Sequence, residues 1–161
     1  MAVQPIPKGY HSVNAVLIVP DGAGRKAIEF YKSVFGATES VFMADTEGRL
    51  MHAEIKIGDS IVMLSDEFPQ GHTRSPQNLG GTTTSLFLYV PDVDAAFRRA
   101  VEAGATVAMP LADMFWGDRF GTVADPFGHL WGLATHKEDV SPEELKKRAQ
   151  AAMAAMAKGQ K

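Results

Sequence analysis

His52 and Glu54 stand two positions apart in the run Leu50-Met-His-Ala-Glu-Ile-Lys-Ile57. In an extended chain alternate residues share a face, so His52, Glu54 and Lys56 lie on one side and Met51, Ala53, Ile55 and Ile57 on the other. If the apolar side packs on a core, an imidazole and a carboxylate look together into the opposite space. A carboxylate in an apolar cavity is expected to have a raised pKa and can serve as a general base or bind a cationic ligand group. The same glutamate could instead pair with Lys56, Arg119 or His52 across a sheet, and such ion pairs also perturb pKa values.

A second group is Trp116-Gly-Asp-Arg119, which follows an apolar segment and enters a strand. Trp116 offers a stacking platform at a cavity mouth, or a plug for the core or a subunit interface; Asp118 and Arg119 are expected as a polar pair beside it. Phe115, Trp116 and Phe120 cluster beyond what one turn needs for packing, which favours the mouth. Trp131 is expected in the core. His11, His72, His129 and His136 fall at strand ends or in loops and read as surface histidines.

The chain of 161 residues has no cysteine, which excludes disulfides, thiolate nucleophiles and thiolate-held metals. Any metal would need His, Asp, Glu or backbone oxygens. The net charge is −3 and the basic residues are dispersed apart from Lys146, Lys147 and Arg148, so there is no footprint for nucleic acid. The first ten residues show neither a charged segment followed by an apolar one nor a run long enough to span a bilayer, which points to a cytoplasmic protein without a membrane partner.

The elements that must position these residues come as a repeat. Asn14-Ala-Val-Leu-Ile-Val-Pro-Asp21 and Ser85-Leu-Phe-Leu-Tyr-Val-Pro-Asp92 are apolar β-rich runs with the same ending. Each precedes a helical pattern, Arg25 to Phe35 and Val93 to Ala103, with apolar residues spaced for one face. Each helix stops at Gly-Ala-Thr, at Gly36 and at Gly104. Three further strands follow each stop, at about 37–44, 49–57 and 60–65, then about 105–112, 118–124 and 129–135. The segment from Phe68 to Thr83, rich in Pro and Gly, reads as a surface loop joining the copies. Ser141-Pro-Glu-Glu144 is a capping box that starts a helix through the Ala/Met/Lys-rich tail.

The expected architecture is therefore α+β: two tandem βαβββ modules plus a C-terminal helix, in a single domain over 1–161. Module 1 covers about 12–67, the linker about 68–83, module 2 about 84–137 and the final helix about 141–157.

These motifs, with Asp125-Pro-Phe-Gly-His129 before the last strand, resemble the vicinal oxygen chelate superfamily of glyoxalases, bleomycin resistance proteins and extradiol dioxygenases. Tyr31-Lys-Ser-Val-Phe-Gly36, His52 to Asp59, Trp116 to Arg119 and Ala134 to Glu144 look like its PhnB-like branch. The resemblance implies a curved, barrel-like mixed sheet around a cavity, and a homodimer.

It also implies where a metal would be held. The family's first-strand ligand positions fall on Asn14 and Ser85, and its last-strand positions on Gly132 and on Val62 or Met63. A poor donor, a poorer one and positions without a donor do not meet the needs of a divalent ion. His52 and Glu54 alone would give weak binding. The expected cofactor set is therefore none, with no metal.

By the same parity, Asn14, Ser85, Val16, Ile18, Phe87 and Tyr89 line the cavity wall, giving a mostly apolar space with a few polar groups. The expected function is metal-independent binding of an aromatic or hydrophobic small molecule by Asn14, His52, Glu54, Ser85, Phe87, Trp116, Asp118 and Arg119. The alternatives are a lyase or isomerase with Glu54 as base, or a metal-dependent glyoxalase- or dioxygenase-like enzyme with displaced ligands.

Overall fold

The computed structural model describes residues 3–159; Met1, Ala2, Gln160 and Lys161, at the ends of the expected domain, lie outside the described residues. The first module runs β1 (Ala15–Val19), α1 (Gly24–Phe35), β2 (Thr38–Ala44), β3 (Leu50–Ile57) and β4 (Ser60–Asp66). A short α2 (Pro76–Leu79) lies in the linker. The second module runs β5 (Ser85–Tyr89), α3 (Val93–Glu102), β6 (Thr106–Asp113), β7 (Asp118–Ala124) and β8 (Leu130–His136), and α4 (Pro142–Gly159) closes the described chain.

The two sheets have the same plan. Their strand orders are β1-β4-β3-β2 and β5-β8-β7-β6. β1 pairs with β4, and β5 with β8, in parallel; the other neighbours are antiparallel. No strand pairing joins the sheets among the described residues, so the barrel-like arrangement stays open as two separate four-stranded sheets.

Helix amphipathicity decides which side of each sheet is covered. Ala27, Ile28, Tyr31 and Val34 of α1 are buried, as are Val93, Ala96, Phe97 and Ala100 of α3. The strands oppose them with Leu17, Val19, Ala53, Ile55, Leu64, Val123, Trp131 and Leu133, giving one core shared by both modules. The Asp92 side chain caps α3 by accepting from the Ala95 N–H at 2.9 Å.

The modules are locked together within that core. Tyr31 of α1 donates its hydroxyl to Asp125 at 2.7 Å, and Trp131 Nε1 donates to the same carboxylate at 3.0 Å. The Phe35 ring meets Trp131 at 4.6 Å between centroids.

Two expectations need correction here. Met51 does not face the core but is 54% exposed, and Leu50 is buried in its stead. The cause is a register shift between Met43 and Ala44, a β-bulge that inserts one residue and reverses the alternation upstream of His52. The linker is also not a plain loop. Glu67 is buried and accepts from Ser75 N at 2.7 Å and Asn78 Nδ2 at 2.9 Å, which pins the single turn of α2. These donors hold the Glu67 carboxyl down to about 2.

Candidate functional site

Because α1 and α3 cover one face of each sheet, the residues of opposite parity form two faces that look away from the common core. Each expected site residue except Arg119 lies on these open faces or at the seam where the free edges of β1 and β5 approach. They form three groups.

The seam holds Asn14, Ser85 and Phe87 around a cleft of about 330 Å³ that Trp131 also lines. Asn14 Nδ2 donates to the His11 carbonyl at 2.7 Å, while its Oδ1 is buried with no hydrogen-bond partner. A larger cleft of about 630 Å³ continues along β1 past Thr82, Leu86 and His129.

The second group is on the first sheet. Glu54 is buried at 8% exposure; His52 Nε2 lies 3.1 Å from its Oε1, and the Tyr10 hydroxyl donates to its Oε2. The expected rise in the Glu54 pKa does not occur. The Tyr10 hydrogen bond, helped by His52, outweighs burial and holds the carboxyl below its usual range. Tyr10 is pushed up in turn by the same carboxylate.

The third group is on the second sheet. Asp118 is buried at 4% exposure and accepts from Tyr89 OH at 2.9 Å, Trp116 Nε1 at 3.0 Å and His136 Nδ1 at 2.7 Å. Burial pushes its carboxyl up, but these three donors together bring it below the usual range. His136 is pushed up by Asp118 and by Asp139, which lies 3.0 Å from Nε2. Gly117 makes the cluster possible: its φ is 99°, and a Cβ there would meet the Glu138 carbonyl at 2.1 Å.

Asp118 thereby fixes two aromatic side chains that lead into a wall of rings. Phe87 stacks on Phe120 at 5.1 Å with planes 4° apart, Tyr89 lies 5.0 Å from Phe87, and Trp116 lies 5.9 Å from Phe120. Phe87 and Tyr89 remain more than half exposed.

Two expectations from the sequence, for Arg119 and His129, differ from the structure. Arg119 is not a partner of Asp118, because neighbours in a strand point to opposite faces. Arg119 makes a paired contact with Asp94 at 2.7 Å and reaches Asp113 at 3.1 Å on the helix side, away from the other site residues. His129 is buried rather than at the surface, its Nε2 3.0 Å from the Ile18 carbonyl, and burial lowers its pKa. His136 is at the surface, as expected, with its side chain half exposed, and joins the Asp118 cluster from there. Tyr10 was missed because it lies outside every repeated element; only its position before the first strand pointed to it.

The metal that the fold family implies does not fit these residues. Ser85 and Val62 offer a hydroxyl and an apolar side chain, and Gly132 has no donor. A Cβ on Gly132 would meet the Phe120 ring at 2.8 Å and the Phe87 ring at 3.2 Å, so the room for a chelating side chain is taken by aromatic carbon. No group of three or more His, Asp or Glu residues able to hold an ion exists among the described residues.

Paired βαβββ modules with a shared core and open sheet faces define the class of fold. The chain belongs to the Glyoxalase/Bleomycin resistance protein/Dioxygenase superfamily, whose family model matches residues 12–133. An uncharacterized protein of Mycobacterium bovis is 44% identical over 146 residues, covering 89% of this chain and 92% of its own. The X-ray structure of the Arabidopsis thaliana gene product At5g48480 superposes with a TM-score of 0.63 at 29% identity, over 78% of this chain and 98% of that one. A putative 3-demethylubiquinone-9 3-methyltransferase, PhnB protein, from Bacillus cereus shares the fold with a TM-score of 0.62 at 20% identity, over 78% and 99%. No helix among the described residues is long and apolar enough to cross a membrane.

Proposed function

We propose that the protein is a metal-independent, cytoplasmic binding protein for an aromatic or hydrophobic small molecule, acting as a homodimer. The observation that carries this reading is the wall of Phe87, Tyr89, Trp116 and Phe120, in which Asp118 holds Tyr89 and Trp116 and the rings of Phe87 and Tyr89 stay more than half exposed. Rings with exposed faces and fixed orientation bind a planar ligand at little cost in side-chain ordering. The unpartnered Asn14 Oδ1 supports the same reading, since a ligand N–H or O–H would satisfy it. Val16 on the open face of the first sheet and Phe87 and Tyr89 on that of the second are each more than half exposed, and burying them against a second copy would complete a cavity that one chain leaves open.

The test is fluorescence titration of chelator-treated protein with planar aromatic compounds. Saturable quenching of Trp116, lost in Trp116→Phe and weakened about tenfold by Phe87→Ala, is expected, with the ligand recovered unchanged. Absence of binding by every aromatic class tried, or conversion of the bound compound to product, defeats the reading.

The lyase or isomerase alternative is weakened at Glu54, whose carboxylate is already held by two donors and is a poorer base than an unpaired one.

A further inference from the structure

Resting on the ligand-binding reading above, we infer that the Glu54–His52 pair is a receptor for a phenolic hydroxyl group, and that Tyr10 fills it in the free protein as a built-in competitor. The segment ahead of β1 makes few other attachments. Residues 3–9 and 11–13 are all exposed, and Tyr10 alone is half-buried. Among the described residues the segment's other hydrogen bonds are local, from Tyr10 N to the Pro7 carbonyl at 3.1 Å and from Asn14 Nδ2 to the His11 carbonyl at 2.7 Å. β4 separates β1 from β3 in the sheet, so the segment must cross β4 on the open face to place the Tyr10 hydroxyl on Glu54.

One side chain thus tethers an exposed strap to a buried carboxylate. The acceptor is an anion and the donor a neutral phenol, a charge-assisted bond of the stronger kind. A ligand that takes the place of Tyr10 without supplying a donor would leave Glu54 desolvated with only His52 as partner, which is unfavourable. A ligand that brings its own phenol replaces the bond as it displaces the strap, so the exchange is nearly balanced at Glu54 and the ligand's other contacts decide it. A ligand without a hydroxyl cannot make this exchange. The strap therefore selects phenol-bearing molecules among the aromatic ligands that reach the open face of the first sheet.

The probe is p-cresol, the tyrosine side chain cut free, measured by titration calorimetry on the full chain. Tyr10→Ala is expected to bind p-cresol about tenfold more tightly than the unmodified protein, and Tyr10→Ala with Glu54→Gln is expected to lose that gain. 4-Methylanisole, whose oxygen cannot donate, is expected to show no such preference. In the unmodified protein, saturating p-cresol is expected to speed tryptic cleavage after Lys8 to the rate seen in Tyr10→Phe, which keeps the ring and loses the hydroxyl. Equal affinity of the unmodified and Tyr10→Ala proteins, or cleavage after Lys8 that p-cresol leaves unchanged, overturns the inference. If p-cresol binding is abolished by Phe87→Ala and indifferent to Glu54→Gln, this inference fails while the aromatic-ligand reading stands.

Discussion

The ring of Phe120 lies against Gly132, where a Cβ would stand only 2.8 Å from it. The absence of a side chain at 132 is thus what lets Phe120 and Phe87 stack across β7, β8 and β5. Gly132→Ala forces the ring to move. Because the offending atoms are at the far end of a side chain, the cost is expected at the low end for overpacking, about 1 kcal/mol in urea denaturation. The larger effect is expected in binding, where disturbing the stack should weaken planar aromatic ligands about tenfold. Unchanged affinity in a folded Gly132→Ala protein would remove the stack from the site.

The Asp118–His136 pair makes a prediction about pH. His136 has a folded pKa above its ordinary value, so its contribution to stability is complete below about 6.5 and is lost as pH rises through the raised value. Asp118 has the opposite sign: its folded pKa is depressed, so its contribution is present above the ordinary carboxylate range and is lost as pH falls through the folded value. In Asp118→Asn the first of these slopes should shrink, leaving only the exposed partner Asp139 to favour the charged ring. NMR titration of His136 in the two proteins checks this directly, with the pKa expected to fall in the variant.

Tyr31 and Asp125 connect the modules through a bond that is wholly buried. Tyr31→Phe removes the hydroxyl but keeps the ring against Phe35 and Trp131, and Asp125 keeps its bond from Trp131. The expected loss is about 1–3 kcal/mol of global stability, the range for leaving a buried acceptor short of a donor. An unchanged denaturant slope with a lower midpoint would show that both modules still unfold as one unit.

The repeat was legible because each module states the same local signals twice, an alternating run, an amphipathic helix and a Gly-Ala-Thr stop. Each strand and each helix longer than one turn begins and ends within a few residues of its expected place. What pattern could not supply was information held in three dimensions. The bulge at Met51, opposite Met43 and Ala44, is invisible to strict alternation, which puts Met51 on the core face. Arg119 follows Asp118 in sequence, yet adjacency in a strand separates two side chains rather than joining them. His129 reads as a surface histidine because its partner, the Ile18 carbonyl, is distant in sequence. Tyr10 is the clearest case, since its partner lies 44 residues away and no periodicity links them.

The donors at the family's chelating positions fix the metal content to be expected. Elemental analysis of protein purified without a histidine tag is expected to find well under one equivalent of Zn, Ni, Fe or Mn per chain. The reasoning is donor chemistry. Tight binding of such ions needs imidazole or carboxylate at most positions, and the positions available are an amide whose nitrogen is bound to a carbonyl, a hydroxyl, an apolar or thioether side chain, and a glycine under two rings. His52 cannot complete the set, because Glu54 is held by Tyr10 as well. Treatment with a chelator should therefore leave both the urea midpoint and the affinity for a planar aromatic ligand unchanged. A stoichiometric ion whose removal lowers either would mean that a second copy of the chain brings further donors to the open faces, and the site would have to be redrawn around it.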